Sequence, residues 1–392
     1  MNGMASTSSA TRPYKVLFVF GWLVVGGEET ELRLLAKHID RTKFSLEVVA
    51  CFWKHGMPTQ ARDQLHALGI PIDETPYHLS FDDTVTYLAA KVPQYDLVVA
   101  CQGVPDVYPA LQRIESNRRP PLIEHGGLVQ EALAGPKHLT SRYIGVCKSI
   151  RNAASLKMPG REHCAVEIPS MVDLDEFDLS HRAAVRAELE VPEGVPLVGW
   201  VGRLDRKKRV EDFIRAASLV RQRLPQTRFV IVGGPDAFMP EYAQDLTALT
   251  SKLGLDDSLA FLGDRSDVPR LLSGLDVFVW LSRDEGMPHV ISEAGAAGLP
   301  VVATRDNGSE EQITDGESGL FVPHESPAEV AAAITRLLLD PPLVLRLGRA
   351  LRRKVESEYS TDALVSRWQA LFEEVIGETS RPYRLPEESN AF

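Results

Sequence analysis

No apolar run in the 392-residue chain approaches the ~20 consecutive residues that a membrane-spanning helix needs. Positive charge is also in short supply, since 43 Lys and Arg stand against 54 Asp and Glu, a formal net charge of −11. A general nucleic-acid-binding protein would carry a basic surface, so that class is not expected, although a local basic pocket for a phosphate is compatible with the total. The first 12 residues are small and polar without the apolar segment of a secretory signal, and we expect them to be disordered.

Cysteine is rare and shows no metal-binding spacing. The four cysteines, Cys51, Cys101, Cys147 and Cys164, include no C-x-x-C pair, and three of them lie inside apolar runs that are typical of strands. We therefore expect buried free thiols in a reducing cytoplasm rather than a disulfide framework or a zinc site. This predicts a cytoplasmic protein.

The chain does contain a repeated alternation of short apolar runs and amphipathic segments, which is typical of parallel sheets covered by helices on both faces. The predicted strands of the first half are residues 15–20, 46–52, 95–102, 120–126 and 142–148, with a helix over 28–39. After turn-forming and acidic residues at 168–182, strands are predicted over 196–204, 228–234, 259–264, 276–282, 300–305 and 319–323, with helices over 210–224 and 326–340.

These elements fit two complete doubly wound α/β domains, in agreement with a length of 392 residues and a typical ~150 residues per domain. We place the domains at residues 13–172 and 173–360, and residues 341–377 are expected to form two consecutive helices. Two such domains usually bind a ligand in the crevice between them, at the carboxyl ends of the strands. The loops that follow the strands are therefore the first place to look for a site.

The first strand is followed by the loop GWLVVGGEE, residues 21–29. It is not a Walker A motif, because Gly27 and Glu28 stand where Lys and Ser or Thr would be required, and its glycines do not have the GxGxxG spacing. What remains is the pair Gly26 and Gly27 at the start of a helix, where bare N–H groups can approach an anion or a sugar. A tight turn without a ligand is an equally good interpretation of this fragment alone.

A basic segment, VGRLDRKKRVEDF, follows the first strand of the second half at residues 201–213. Arg203 lies at the strand end and Lys208 opens the next helix, so both side chains can reach the mouth of the crevice. There they could form charge-assisted hydrogen bonds with a diphosphate. Taken alone, a solvated basic turn is the simpler interpretation.

The most informative segment is RDEGMPHVISEAGAAGLPVVAT, residues 283–304, between two apolar strands. Pro288 suits the first turn of a helix, and the N–H groups of Gly286, Met287 and the residues that follow would then point into the crevice with the positive end of the helix dipole. Glu285 precedes the helix and Glu293 lies within it. Carboxylates that accept from hydroxyls, with amides that donate to phosphates between them, suit a sugar–diphosphate–ribose ligand.

The nine residues EGMPHVISE, 285–293, resemble the E-x7-E element of the retaining glycosyltransferases of family 4. Segments in the same order as in that family cover almost the whole chain: Gly26–Gly27–Glu28, GRLDRKKR at 202–209, FVIVGGPD at 229–236, FLGDRSDVPRLL at 261–272 and NGSEEQITDGESGLFVP at 307–323. The resemblance implies the α/β GT-B fold, which is two Rossmann-like domains with a cleft between them and C-terminal helices that cross back. Residues 361–392 would then be a helix packed on the N-terminal domain, plus a tail.

The resemblance also implies a role for each matching residue. Glu293 would bind the ribose hydroxyls, Arg203 and Lys208 would bind the diphosphate, and Glu285 would hold the transferred sugar. The other implied donor contacts come from Gly26, Gly27, Gly263, Arg265, Gly286, Met287 and Pro288. The implied catalytic residues are His125, Arg203, Lys208 and Glu285, with His125 near the donor sugar and the acceptor.

Four positions depart from the family pattern. Ser170 and Met171 stand where Asn-Gly is frequent, Asn307 stands where a glycine is common, and Arg209 follows Lys208 where glycine is usual. None of these departures removes a charged ligand contact. They change the shape of the pocket, and therefore bear on the donor sugar.

The implied activity is retaining transfer of a hexose, for example GlcNAc, glucose or mannose, from a nucleotide diphosphate sugar to a hydroxyl acceptor, and UDP is the expected nucleotide. No cofactor is expected, and no metal, because Asp173 and Asp175, which form the D-x-D, lie in the linker and are expected to cap a helix. A glycoside hydrolase is disfavoured, since Glu285 and Glu293 share one element instead of facing each other across a cleft. The alternatives are a nucleotide-sugar epimerase of the same fold and a non-catalytic nucleotide-sugar-binding protein.

The acceptor is the least determined part. Its contacts are expected from N-terminal loops at 53–62, 101–108 and 126–138, and a small molecule, a glycan and a lipid-linked acceptor all remain open. A basic helix is expected to be a solvated face, with weak contact to an anionic membrane as the alternative. Its cations are Arg349, Arg352, Arg353 and Lys354. Nothing in the sequence indicates an oligomeric state.

Overall fold

The computed structural model describes residues 12–379. The disorder predicted for residues 1–12 therefore falls outside the described residues except at Arg12, which forms a bidentate ion pair with Asp96. The predicted tail, residues 380–392, also lies outside them.

The N-terminal half alternates strands with helices. Its strands are β1 (Tyr14–Trp22), β2 (Phe44–Phe52), β3 (Ile72–Asp73), β4 (Leu97–Cys101), β5 (Leu122–Gly126), β6 (Thr140–Gly145) and β7 (Ala165–Glu167). Its helices are α1 (Gly27–His38), α2 (Gln60–Ala67), α3 (Phe81–Lys91), α4 (Val104–Gln112), α5 (Val129–Leu133) and α6 (Lys148–Leu156). The strands form a parallel sheet in the order β3-β2-β1-β4-β5-β6-β7.

The C-terminal half repeats this arrangement. Its strands are β8 (Leu197–Val201), β9 (Arg228–Val232), β10 (Leu259–Phe261), β11 (Val277–Trp280), β12 (Val301–Thr304) and β13 (Leu320–Val322). Its helices are α7 (Arg182–Glu188), α8 (Val210–Arg223), α9 (Glu241–Lys252), α10 (Val268–Leu272), α11 (His289–Ala296), α12 (Asn307–Gln312), α13 (Pro327–Leu339) and α14 (Pro341–Glu358), and α15 (Thr361–Thr379) follows them. The parallel strands run in the order β10-β9-β8-β11-β12-β13.

The prediction of two doubly wound α/β units is confirmed. The apolar strand residues are buried on both faces of each sheet, which is why these strands appear in the sequence as continuous apolar runs. In each half the strand order reverses between the first strand and its other neighbour, β4 in one sheet and β11 in the other. Open sheets of this kind place ligands at the carboxyl ends of the strands beside such a reversal.

The last helix joins the N-terminal half. Trp368 and Phe372 of α15 are buried against Phe18 of β1 and Phe44 of β2, with ring centroids 6.4 Å apart for Phe18–Phe372 and 5.7 Å apart for Phe44–Phe372. Apolar residues at helical spacing on α15 therefore cover one face of the N-terminal sheet. Further toward the amino end of this helix, the linker residue Val172 forms backbone hydrogen bonds on either side of the α14–α15 junction.

Candidate functional site

The loops of the two halves meet through glycines. Gly27, the first residue of α1, faces the ring of His289, and a Cβ atom on Gly27 would lie 3.2 Å from His289 Cδ2. Gly286 lies against the backbone of Gly127, because a Cβ atom at Gly286 would be only 2.0 Å from that carbonyl oxygen. The carboxyl-end loops of both sheets therefore contact each other directly, through the backbone at Gly286 and through the His289 ring at Gly27, and the residues that line this cleft form the candidate site.

Arg203 follows β8 and points toward this cleft. Its Nε is 2.8 Å from Asp236 Oδ2 and its Nη2 is 3.7 Å from Asp205 Oδ2. The side chain keeps 38% of its surface exposed, whereas Asp236 is buried. Asp236 lies in the segment 229–236, for which the sequence predicts no role in the site. Asp236 holds the Arg203 guanidinium in place and leaves part of that guanidinium accessible to a ligand.

Lys208 and Glu285 form a half-buried ion pair, and Ser282 donates a hydrogen bond of 2.5 Å to the same carboxylate. The Lys208 ammonium also lies 4.8 Å from the ring centre of Trp280. Burial acts to raise the pKa of Glu285, but attraction to Lys208 and Lys207 outweighs it and the pKa is lowered. Burial lowers the pKa of Lys208 in spite of its partner. Two residues that were predicted to hold different parts of the donor thus contact each other.

Residues at the start of α12 fix the backbone around Glu285 through hydrogen bonds. The N–H of Glu285 donates to Asp306 Oδ2 at 2.6 Å, and Asn307 Nδ2 donates to the Glu285 carbonyl at 3.0 Å. Gly308 N–H donates to the Gly286 carbonyl at 2.6 Å. Asn307, one of the departures from the family pattern, therefore supports the loop that carries the motif. We call residues 285–287 the EG loop.

The sequence predicts Pro288 in the first turn of a helix, but helix α11 begins one residue later, at His289. Pro288 has an extended backbone (φ −64°, ψ 115°) and occupies the N-cap position. Among residues 12–379 the N–H groups of Gly286 and Met287 donate to no protein acceptor. These donors precede the positive end of the helix dipole, so they suit an anionic or oxygen-rich ligand.

Glu293 lies on α11 and is half-buried. Burial raises its pKa to about 7, with Arg33 opposing and Glu176 adding to the rise. Within the described part of the chain its carboxylate accepts no hydrogen bond. It is therefore available to accept from hydroxyl groups.

His125 lies on β5, which forms part of the wall of the cleft. Its ring is buried beside Trp368, with ring centroids 5.3 Å apart, and its Nδ1 is 3.6 Å from Glu28 Oε1. Burial lowers its pKa, while Glu31 and Glu131 act in the opposite direction. Glu28 was predicted only as part of the glycine-rich loop, and the structure brings its carboxylate to the histidine.

Gly263 and Arg265 lie on the loop after β10. Gly263 has a left-handed backbone, φ +65°, and its carbonyl accepts from Gly233 N–H at 2.8 Å. The Arg265 side chain instead forms ion pairs with Glu188 and Asp267, each at 2.8–2.9 Å. The backbone of this loop borders the end of β9, whereas the guanidinium is engaged on the surface.

The structure shows how Arg209 is accommodated at a position where glycine is usual. It has φ +54° and ψ +42°, a left-handed conformation that glycine adopts more readily. Ion pairs of 2.9 Å with Glu211 and with Asp212 hold the side chain at the start of α8. The turn that a glycine would allow is therefore kept by an arginine, and Lys208 retains its position.

The Asp173 carboxylate of the linker is engaged within the protein, whereas Asp175 is exposed. Asp173 contacts Lys37 at 2.6 Å and His38 at 2.7 Å, and it accepts from Asp175 N–H at 3.0 Å. Among residues 12–379 no group of three or more His, Cys, Asp or Glu side chains could hold a metal ion. Ser170 Oγ donates to the Met287 carbonyl at 3.3 Å, so this departure ties the linker to the EG loop.

The basic face of α14 is only partly free. Arg352 donates to the Ala296 carbonyl at 2.6 Å and pairs with Glu356 at 2.7 Å, and Lys354 donates to the Glu311 carbonyl. Arg349 and Arg353 are exposed. Half of the predicted basic patch therefore stabilises the fold. No helix among residues 12–379 combines the length and the apolar composition that a bilayer crossing requires.

Residues 181–354 match the family described as "Glycosyl transferases group 1". Two curated relatives named D-inositol 3-phosphate glycosyltransferase are each 32% identical: the protein of Saccharomonospora viridis over 203 residues, 50% of this chain and 47% of the relative, and that of Corynebacterium jeikeium over 233 residues, 57% and 55%. The lipopolysaccharide core biosynthesis glycosyltransferase LpsE of Rhizobium meliloti is 31% identical over 189 residues, 48% of this chain and 53% of the relative. The chain thus spans about half the length of the curated relatives it matches.

Among solved structures, Anabaena Alr3699/HepE in complex with UDP and glucose superposes with a TM-score of 0.80 and 21% identity, over 92% of this chain and 99% of that one. WaaG, a glycosyltransferase involved in lipopolysaccharide biosynthesis, superposes with a TM-score of 0.67 and 17% identity, over 94% and 100%. These likenesses show the fold, and with the two parallel sheets they confirm the predicted GT-B architecture.

Proposed function

We propose that this chain, a GT-B protein of the glycosyltransferase family 4 type, transfers a hexose from a UDP-sugar to a hydroxyl acceptor with retention of configuration. The hexose would be glucose, GlcNAc or mannose. Support for UDP comes from Alr3699/HepE, which was crystallised in complex with UDP-glucose. The curated relatives add that glycosyl transfer is the named activity of proteins that this chain matches over about half of its length.

One observation carries the proposal: donors for a diphosphate and acceptors for sugar hydroxyls lie on adjacent strand ends of one half. Arg203 and Lys208 follow β8, whereas the EG loop and Glu293 follow β11, and these two strands are neighbours in the sheet. Lys208 even contacts Glu285. A diphosphate between the two cations would place its ribose toward Glu293 and its sugar toward the EG loop.

The chemistry that this arrangement would perform needs a stabilised leaving group more than a strong base. The bond between the sugar C1 and the UDP oxygen breaks, the acceptor oxygen bonds to C1 on the same face, and the acceptor proton passes to the departing phosphate. Arg203, Lys208 and the free N–H groups of the EG loop would stabilise the charge that develops on that phosphate. His125, whose pKa is lowered by burial, would offer a neutral ring beside the sugar.

We further propose that the reaction requires no metal and no resident cofactor, since these cations and the helix dipole can neutralise the diphosphate. A cytoplasmic location is proposed on the same footing, from the four cysteines, each of which is a free thiol in the described structure.

The test is an incubation of the full chain with UDP-glucose, UDP-GlcNAc, GDP-mannose and their parent nucleotides, with and without a cell extract as acceptor source. Acceptor-dependent release of UDP with an α-linked product from an α-linked donor supports the proposal. Acceptor-dependent release of GDP from GDP-mannose, without turnover of either UDP-sugar, contradicts the assignment of UDP. Isomerisation of the nucleotide sugar without acceptor indicates an epimerase instead. Tight binding with no turnover in any extract indicates a non-catalytic binding protein. A requirement for added Mg²⁺ or Mn²⁺ after chelation contradicts the metal-free mechanism.

A further inference from the structure

Buried polar atoms without partners gather at the carboxyl ends of the N-terminal strands. Among residues 12–379, both carboxylate oxygens of Glu28, the side-chain oxygen of Gln102 and Nε2 of His125 are buried and form no hydrogen bond. Glu28 is 7% exposed and His125 is 4% exposed. An unpaired buried polar group is destabilising, so a fold that retains several in one place leaves them for a ligand. We call Glu28, Gln102 and His125 the polar floor.

The polar floor is a single place, next to the EG loop. Glu28 Oε1 lies 3.6 Å from His125 Nδ1, and the Gln102 side chain is close enough to Glu28 to oppose the rise in the pKa of that carboxyl. The same oxygen lies 4.0 Å from the position of a Cβ atom on Gly127, whose carbonyl touches Gly286. Gln102 has a left-handed backbone, φ +58°, which turns the chain directly after β4. Whatever contacts these three side chains borders the proposed position of the transferred sugar.

This region disfavours negative charge. The pKa of Glu28 is raised well above its usual value by burial and then by repulsion from Glu131, which itself accepts from Gly127 N–H at 3.0 Å. Two N-terminal cations are already engaged within the protein. Lys137 pairs with Glu124 at 2.6 Å, and Lys54 donates to the Ala237 carbonyl at 3.1 Å and lies over the Phe238 ring, 4.0 Å from its centre. A phosphate would add negative charge beside these carboxyl groups, whereas a hydroxyl would donate to them.

Exposed aromatic rings line the same edge of the sheet. Trp22 ends β1, Phe52 ends β2 and Trp53 follows it, with 39%, 47% and 41% of their surfaces exposed. From the other half, Phe238 places its ring centroid 6.3 Å from that of Trp22. We call these four residues the aromatic rim. Exposed apolar patches at a cleft mark binding sites, and the C–H face of a pyranose ring packs well on an aromatic face.

We propose that the polar floor and the aromatic rim form the acceptor subsite, and that the acceptor is an uncharged saccharide and not a phosphorylated cyclitol or sugar. The inference rests on the proposed function, because the acceptor is that of the transfer described above. The saccharide ring packs on the rim, and its reactive hydroxyl reaches the floor, where Glu28 accepts a hydrogen bond from it. The floor thus selects against anionic acceptors at the point where C1 is transferred.

The first experiment measures binding to the full chain in the presence of UDP by saturation-transfer NMR and calorimetry. The probes are glucose with glucose 6-phosphate, myo-inositol with myo-inositol 3-phosphate, and neutral disaccharides of gluco, galacto and manno configuration. We expect at least one neutral saccharide to bind, at least tenfold more tightly than the phosphorylated probes. Tighter binding of a phosphorylated probe than of its parent overturns the inference, and so does the failure of every neutral saccharide.

Two substitutions locate the site. Glu28→Met removes two buried oxygens but keeps the volume, so it should raise Tm while weakening saccharide binding at least tenfold and leaving UDP-glucose affinity unchanged. Trp53→Ala should weaken saccharide binding to a similar extent. There are two matched controls. Glu47→Gln removes a carboxylate on β2 that pairs with Lys91, and Phe81→Ala removes an exposed ring from the start of α3. A lower Tm with unchanged saccharide affinity for Glu28→Met would show a purely structural role and overturn the inference.

The same samples separate this inference from the proposed function. If UDP-glucose fails to bind the unmodified protein, the proposed function is wrong. If UDP-glucose binds but the acceptor preference is reversed, only the acceptor assignment is wrong. Sedimentation with phosphatidylglycerol vesicles that is lost in Trp53→Ala would assign the aromatic rim to a membrane surface, and this also overturns the assignment.

Discussion

Glu31 of α1 and His289 of α11 face each other between the two halves, with 3.7 Å between Glu31 Oε2 and His289 Nε2. Met171 of the linker contacts both, since its N–H donates to Glu31 at 3.0 Å and its carbonyl lies 3.2 Å from His289 Nδ1. Trp368 of α15 donates to the other Glu31 oxygen at 3.2 Å. One N-terminal carboxyl group therefore joins the linker, the last helix and the first residue of the helix that carries Glu293.

This arrangement predicts that the protein loses stability as the pH rises from 6 to 8. Burial raises the pKa of Glu31 to about 7, so its contribution is full below the unfolded value of 4.5 and is lost as the pH rises through 7. Glu29 and Glu293, with pKa values raised to about 8 and about 7, act in the same direction. Burial lowers the pKa of His289 to about 4, so its contribution is lost only as the pH falls below 6.5.

Scanning calorimetry at pH 6 and pH 8 measures this effect. Glu31→Gln removes one of these three carboxyl groups. Between pH 6 and pH 8 the Tm of this variant should therefore fall less than the Tm of the unmodified protein, by on the order of 2 °C. The control is Glu115→Gln, an exposed carboxylate, which should leave the difference between the two pH values unchanged. Equal falls for Glu31→Gln and the unmodified protein would contradict the assigned titration.

The sequence predicts the interior strands of both sheets because each is a run of buried apolar residues. It misses β3 and β7, which have only the residues Ile72–Asp73 and Ala165–Glu167. Both are edge strands, so one side of each has no strand partner and neither needs a long apolar run. Position in the sheet, and not composition, makes them strands.

The positions of Arg203 and Glu285 could also be predicted, because each follows a strand and all carboxyl ends of a parallel sheet share one edge. The residues that hold these site residues in place could not be predicted from the sequence. Asp306 is about twenty residues beyond Glu285 in sequence, and only the pairing of β11 with β12 brings it beneath that N–H group. Nor does sequence spacing show that Lys208 would contact Glu285. Such contacts depend on side-chain directions across neighbouring strands, which no local pattern encodes.

The two glutamates of the motif should separate binding from turnover. Glu293→Ala removes a carboxylate that accepts no hydrogen bond from residues 12–379, and we expect UDP affinity to fall roughly 10- to 100-fold, in line with 1.5–3 kcal/mol for hydrogen bonds to a charged group. Glu285→Ala should spare UDP affinity and lower kcat. Calorimetry with UDP and initial rates with the best donor measure the two effects.

Glu285→Ala also leaves Lys208 buried without its partner, so a loss of folding must be distinguished from a loss of catalysis. Glu285→Gln keeps the volume and can still accept from Ser282, and it serves as the companion variant. If both Glu285 variants bind UDP as poorly as Glu293→Ala does, the division of roles between the two glutamates is wrong.

The EG loop should not tolerate side chains at its glycine contacts. A Cβ atom at Gly308 would lie 2.1 Å from the Gly286 carbonyl oxygen and 2.5 Å from Met287 Cα, and both are backbone atoms that cannot move independently. We expect Gly308→Ala to cost about 1–3 kcal/mol of stability and to weaken UDP-sugar binding. Gly377→Ala is the control, because a Cβ atom at this position in α15 would have no other atom of the described residues within 4 Å, and it should keep or raise Tm. Equal Tm values for the two variants would show that the loop can shift.

The diphosphate assignment is tested most directly by removing its cations. Arg203→Ala and Lys208→Ala should each raise the barrier by on the order of 3 kcal/mol, about a hundredfold in rate, because each removes a charge that is held in place for the leaving group. Arg206→Ala is the matched control, since Arg206 lies between them in sequence but pairs with Asp245 on the surface, with 57% of its side chain exposed. It should change neither rate nor affinity appreciably. Calorimetry on the double variant Arg203→Ala and Lys208→Ala decides the matter: UDP should bind at least a hundredfold more weakly, and normal affinity would show that the diphosphate lies elsewhere in the cleft.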